Sequence, residues 1–150
     1  MSDATYSLDQ LEKGIGRDGI EGLVVDAARW RETAAMVQRS GFVRFLDITC
    51  VDHPNDAQRF EVVLHVYSPQ GKKWLRLRTR TQGQLASLTP VFAAANWYER
   101  EVFDLFGVRF DGHPDLTRIL LPDDFPSHPL RRDHPLGGEP VDFTILREEA

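Results

Sequence analysis

The chain has 150 residues, 41% of them apolar and 27% charged, the make-up of one folded globular domain large enough for its own core. Its 18 Lys and Arg against 23 Asp and Glu leave a formal net charge of −5, which argues against nucleic acid as the main partner. No apolar run approaches the ~20 residues of a membrane span. The opening Met-Ser-Asp-Ala-Thr lacks the basic and apolar regions of a signal peptide, and a single cysteine, Cys50, excludes an intrachain disulfide or a self-contained iron–sulfur cluster.

In chain order, Ser7-Leu8-Asp9-Gln10 has the spacing of a helix capping box, with Gly14 as the stop. Leu23–Val25 reads as a short strand. Asp26 then caps a longer helix carrying Trp30, Ala34 and Val37 on one face and Arg31, Glu32 and Arg39 away from it, with Gly41 at its end. Three strand-like runs follow, Phe42–Val51, Phe60–Val66 and Trp74–Thr79. In the second, Phe60, Val62, Leu64 and Val66 share one side; in the third, Leu75 and Leu77 oppose Arg76 and Arg78. Turn residues at 54–58 and 68–71 make the runs an antiparallel meander with one wet face, backed by the Asp26–Ser40 helix. Thr89-Pro90 predicts the start of a short helix leading to Asn96.

The segment Asn96–Gly107 is a helix of about three turns, opened by an Asn96/Glu99 capping box and closed by Gly107 in the left-handed conformation. At 100° per residue, Tyr98, Val102, Leu105 and Phe106 share the apolar side, with Phe103 at its margin. Arg100, Glu101 and Asp104 share the opposite side, Arg100 and Asp104 as i,i+4 neighbours of opposite charge. Glu99 falls inside the apolar sector, where an unpaired carboxylate is costly. It therefore predicts an arginine partner, Arg118 or Arg131. Six of the nine prolines lie between Pro114 and Pro140, which favours extended chain. Leu120, Phe125 and Leu130 among them predict an arm that must lie on something, its own domain or another protein. It reads as a docking arm on a partner, with Arg131 and Arg132 pairing to carboxylates there.

Glu-Arg-Glu at 99–101, Asp-Leu-Phe-Gly at 104–107 and His-Pro-x-Leu-x-Arg-Ile-Leu at 113–120 together resemble the signature of the C subunit (30 kDa type) of respiratory complex I, NADH:quinone oxidoreductase. Related subunits of chloroplast-type and hydrogenase-type membrane complexes carry it too. The resemblance extends over residues 40–136, including Asp-Ile-Thr-Cys-Val-Asp at 47–52. It departs at Thr117, where the family has a basic residue, and at His134, where it has an aromatic one. The first forty residues match only in general pattern, and the chain is short for the family.

The elements predict a two-layer α+β domain over 1–110, with a mostly antiparallel sheet packed by helices, and an extended Pro-rich C-terminal docking arm over 111–150; the resemblance makes the domain C-subunit-like. It implies a structural subunit on the cytoplasmic side of the membrane, in the hydrophilic arm of a proton-pumping complex. Its partners there would be the D-type quinone-site subunit and iron–sulfur subunits. NADH, FMN, iron–sulfur clusters and quinone would belong to the parent complex, with no cofactor in this chain. The equivalent subunit of a membrane-bound hydrogenase or ferredoxin:plastoquinone-type complex is the alternative. The positions carried over for packing and docking, not catalysis, are Glu99, Arg100, Glu101, Asp104, Gly107, His113, Pro114, Arg118, Arg131, Arg132 and Asp133.

From the residues alone, two other activities compete. Glu99, Glu101 and Asp104 could act as general acid and base, but no glycine-rich phosphate loop or other substrate-binding pattern accompanies them. Lys72, Lys73, Arg76, Arg78 and Arg80 form a basic edge beside Trp74 that could hold single-stranded nucleic acid, against the acidic total. His53, His113, His128 and His134 each precede proline and share no metal-ligand spacing. They read as loop histidines, with His65 on the polar side of its strand and Cys50 as a small buried side chain.

Overall fold

Alternation of apolar residues in three consecutive strands builds the centre of the sheet. In the computed structural model, which describes residues 11–15 and 19–135, these are β3 (Arg44–Asp52), β4 (Phe60–Ser68) and β5 (Lys73–Thr81). They pair antiparallel as a meander, with Leu64 between Ile48 and Leu77. Phe60, Val62, Leu64 and Val66 are all buried on the expected side. Two earlier strands extend the sheet, β1 (Glu12–Ile15) and β2 (Glu21–Val24). β2 runs parallel to β5 and β1 antiparallel to β2, giving the order β1-β2-β5-β4-β3. The sheet is therefore mixed.

Gly14 lies within β1 and does not stop a helix; Ser7–Gln10 fall outside the described residues. It sits directly opposite Gly22, and a Cβ at Gly14 would come within 2.8 Å of Val24 Cγ2. Pairing with β2 makes the segment that carries Gly14 a strand. β5 is an interior strand and not an edge. On the outward face Arg78 Nε lies 2.5 Å from Glu61, and Arg80 pairs with Glu61 and Asp56 at 2.9 Å each. The face is less wet than expected, because these side chains neutralise one another across it, and three cations of the basic strip, Arg76, Arg78 and Arg80, are already engaged.

Asp26 caps its helix through Oδ1, which accepts from Ala28 N–H at 2.8 Å. The first turn, Ala27–Arg29, is 3-10, and α1 follows as Trp30–Arg39. Trp30, Ala34 and Val37 are buried as the spacing predicts, and Gly41 takes a φ of 97° just past the end. Arg31 does not face solvent alone: its Nε donates to Ser87 O at 2.7 Å and its Nη2 to Asp111 O at 2.6 Å. The short helix expected after Thr89 is a turn instead, in which the N–H groups of Val91 and Phe92 both donate to Leu88 O. A small parallel sheet joins β6 (Gln84–Ala86) to β7 (Arg109–Asp111). Between them α2 (Ala95–Phe106) packs against β3, and α1, α2 and the sheet share one apolar core. No helix among the described residues is long and apolar enough to cross a membrane.

Residues 113–135 are irregular, as their prolines require, yet they are not a free arm. Leu130 N–H donates to Leu105 O at 3.1 Å, Arg132 N–H to Asp52 Oδ2 at 2.7 Å, and Asp133 pairs with Arg59 at 2.8 Å. The segment is a strap tied to its own domain by backbone polar groups, which a reading of apolar residues alone overlooks. Leu120 and Leu130 remain 62% and 52% exposed, whereas Leu116 packs against the core.

Deleting the residues after Asp124 should therefore destabilise the domain, since hydrogen bonds of this kind contribute about 1 kcal/mol each. A melting temperature lower by on the order of 5–10 °C is expected. An unchanged melting temperature would show that the strap adds nothing to the isolated domain.

Candidate functional site

The resemblance points to α2 and the strap, and the geometry there is organised by two carboxylates. α2 begins one residue before Asn96, with Ala94 as its cap and no capping side chain. Asn96 is thus inside the helix, and the Asn96/Glu99 capping box does not form. Instead Asn96 O receives His113 Nε2 at 3.1 Å, while His113 Nδ1 accepts from Asp115 N–H at 3.0 Å. Those two contacts define an imidazole protonated on Nε2, with Pro114 held in the turn between.

Glu99 is fully buried, as its helical angle predicts. Its partner is not Arg118 or Arg131. Oε1 accepts from Leu88 N–H at 2.5 Å and Oε2 from Ser87 Oγ at 2.6 Å, so the turn before α2 folds over the carboxylate. Ser87 Oγ is itself held by Thr89 N–H at 3.1 Å. Burial pushes the Glu99 pKa up to about 7; the Ser87 and Leu88 hydrogen bonds and the field of Arg31 oppose that rise without cancelling it.

Asp104 was expected on the outer side of α2 beside Arg100. It is fully buried, because the strap crosses that side of the helix. Oδ1 pairs with Arg118 Nη1 at 2.7 Å. Oδ2 receives three successive backbone N–H groups, Ile119 at 3.1 Å, Leu120 at 2.8 Å and Leu121 at 2.9 Å. Burial alone would raise its pKa, but these amides and the guanidinium together hold it below the usual carboxylate range. Arg118 Nη2 reaches on to Phe125 O at 2.9 Å, and His128 Nδ1 lies 2.8 Å from the Asp104 carbonyl. Arg100 holds the strap from outside, through Thr117 O at 3.1 Å and Arg118 O at 2.9 Å, with its guanidinium 5.2 Å above Trp97. The contact at Thr117 uses its carbonyl, so a departure in side chain leaves it intact.

Gly107 takes the left-handed φ of 77° that closes α2. A Cβ there would also collide with the Arg131 and His128 side chains, so the position requires glycine on two counts. Arg131 Nε donates to Phe106 O at 2.6 Å. Arg59 grips Asp52 through two nitrogens at 2.6 and 2.7 Å, and it extends to Asp133. Foremost among the causes, Arg59 holds Asp52 below the usual carboxylate range. Glu101 alone of the signature carboxylates is exposed, on an open groove of about 450 Å³ that it lines with Trp97, Tyr98, Ile119 and Leu120.

The Ser87–Leu88 turn, Arg31 and the Asp52–Arg59 pair were not among the anticipated site residues. Arg31 and Ser87 are 56 residues apart, and no local pattern links them. Asp52 and Arg59 flank the Pro54 turn at the ends of paired strands, a spacing that could have revealed them. Cys50 is buried and its thiol is pushed far up, first by burial and then by Asp52 and Glu61, so it is no nucleophile at neutral pH. His53 is not a solvated loop residue: it is buried and bonded to Glu61 at 3.0 Å. Among the described residues no group of three or more His, Cys, Asp or Glu could hold a metal ion.

Two consequences are measurable. An acid whose pKa is higher folded than unfolded destabilises the fold when ionised. For Glu99 the penalty is absent below its ordinary 4.5, grows as pH rises to about 7 and is complete above that. It reaches about 3 kcal/mol from a shift of this size. Glu99→Gln keeps an oxygen for Leu88 N–H and should flatten urea-derived stability between pH 4.5 and 7; an undiminished slope would exclude Glu99 as its source. Asp104→Ala leaves Arg118 and three amides without their acceptor and should cost roughly 3–5 kcal/mol in urea unfolding. A loss under about 1 kcal/mol would mean water replaces the carboxylate freely.

The sequence profile of the family described as respiratory-chain NADH dehydrogenase, 30 Kd subunit, matches residues 23–140. The C subunit of NADH-quinone oxidoreductase from Chelativorans sp. (strain BNC1) is 44% identical over 119 residues, covering 78% of this chain and 58% of the relative. The protein of the same name from Rhodopseudomonas palustris (strain BisB18) is 44% identical over 121 residues, covering 77% and 61%. The chain thus spans about three-fifths of the length of these curated relatives. Among solved structures, a trypsin-resistant fragment of Nqo5 superposes with a TM-score of 0.60 at 30% identity, covering 72% of this chain and 91% of the fragment. A chain of the membrane-bound sulfane sulfur reductase, an archaeal respiratory membrane complex, superposes at 0.72 with 27% identity, covering 84% and 78%. With its family profile matched from β2 through the strap, the chain belongs to the 30 kDa, or C, subunits of respiratory-chain NADH dehydrogenase, complex I.

Proposed function

We propose that the chain is a cofactor-free structural subunit in the hydrophilic arm of a proton-pumping NADH:quinone oxidoreductase. It docks the D-type quinone-site subunit beside the iron–sulfur subunits, peripherally, on the cytoplasmic side of the membrane. One observation carries the non-catalytic reading. The acceptor oxygens of Glu99 and Asp104 are filled by the chain's own Ser87, Leu88, Arg118 and strap amides, so the carboxylates that could have served as acid and base serve as ties. A chain whose two buried signature carboxylates, Glu99 and Asp104, are satisfied internally contributes shape to a complex. The exposed Trp97 and Leu120, at 60% and 62%, supply apolar surface for a neighbour to cover.

The likeness to a chain of an archaeal membrane complex favours a second reading, the equivalent subunit of a related membrane-bound complex with another electron donor. Capture of the tagged chain from native membranes separates the two. NADH-oxidising flavoprotein subunits should come with the D-type and iron–sulfur subunits if the first reading holds, and be missing if the second does. Recovery of no respiratory subunit, or NADH oxidation by the purified chain itself, would end the structural reading.

A further inference from the structure

Most arginines whose side-chain contacts have been described are engaged by this chain's own acceptors: Arg59, Arg78, Arg80 and Arg118 by carboxylates, Arg31 and Arg100 by carbonyls. Two that border one recess keep their terminal nitrogens without an acceptor among the described residues. Phe60, Thr81, Gly83, Gln84, Arg109 and Arg131 line a polar pocket of about 480 Å³ between the end of β4 and β7. Arg131 is fixed there by its Nε bond to Phe106 O and by the Phe60 ring, 5.4 Å below its guanidinium. Its terminal nitrogens have no acceptor among the described residues. Arg109 is exposed and has no side-chain partner among them either. The acids close by are already engaged, Asp111 by the Gln84 amide at 2.9 and 3.0 Å and Asp133 by Arg59.

We propose that this Arg109–Arg131 pocket receives an aspartate or glutamate side chain from a neighbouring subunit of the parent complex. Two guanidiniums present paired donors of the geometry that carboxylates accept, and one of them is immobilised in advance, which lowers the entropy lost on docking. In a chain of net charge −5, a local cationic recess selects an acidic feature of the partner and sets its register. The inference rests on the scaffold reading above and names one of its contacts.

The test uses the full-length tagged chain, captured with its partners from native membranes. Arg109→Glu should retain its melting temperature within about 1 °C, as a surface substitution does, while recovery of partner subunits falls about tenfold or more. Arg109→Lys should keep most of the recovery. Treated with a zero-length carbodiimide, the amine that Arg109→Lys introduces should form an amide with a partner aspartate or glutamate, the water lost being taken up by the carbodiimide, and mass spectrometry identifies the joined peptides. Equal recovery with Arg109→Glu, or a crosslink from the introduced amine only to a second copy of this chain, would overturn the proposal and leave the scaffold reading standing. So would submillimolar binding of inorganic phosphate to the isolated chain that Arg109→Glu abolishes, since the pocket would then be a small-anion site. If the wild-type chain captures no partner, both readings fall together.

Discussion

The strap's path depends on a single oxygen. Asp104 Oδ2 collects the N–H groups of three consecutive residues, 119–121, while Oδ1 holds Arg118. Three successive amides can converge on one point only if the backbone curls into a concave nest. The carboxylate therefore determines the shape of the strap as well as its position. Arg118 transmits that restraint to Phe125 and Ser127, and Arg100 closes the outer side. A proline-rich segment makes few backbone hydrogen bonds of its own, so a buried charge supplies the order that a helix or strand would otherwise supply.

Glu99 and Asp104, five residues apart on one helix and equally buried, titrate in opposite directions. Burial acts on both in the same sense. Asp104 has a cation and three amides to outweigh it, whereas Glu99 has one hydroxyl, one amide and a more distant arginine. The first is a permanent anion that ties the strap down. The second, its pKa pushed up to about 7 by burial, joins α2 to the turn that precedes it. Both oxygen pairs are taken up by donors of the chain itself.

The outward face of the sheet shows the same internal pairing of charge. Glu61 serves Arg78, Arg80 and His53 together, and Asp47, His65 and Arg76 form a second chain across the strands. Lying across neighbouring strands and the turn after β3, these groups are held close enough to neutralise one another. The Arg109 and Arg131 guanidiniums lie instead at the end of the sheet, where the strap returns to β4 and β7.

Period and alternation in the sequence determined the parts of the fold that rest on local hydrophobic pattern: the β3–β5 meander, the buried face of α1, the span of α2 and the left-handed Gly107. They also determined the burial of Glu99, because a helical angle is a local property. The tertiary structure decided the rest. β2 pairs parallel to β5, more than fifty residues later in the chain, and the Gly14 segment becomes a strand because β2 lies beside it. Asp104, on the polar side of an isolated helix, is buried by a strap whose course nothing within α2 encodes. The partner of Glu99 comes from Ser87 and Leu88, where the sequence offers two uncharged residues and no sign of an anion site. Charge pairing follows distance in space, and sequence separation carries that distance only within a helix turn or across a hairpin.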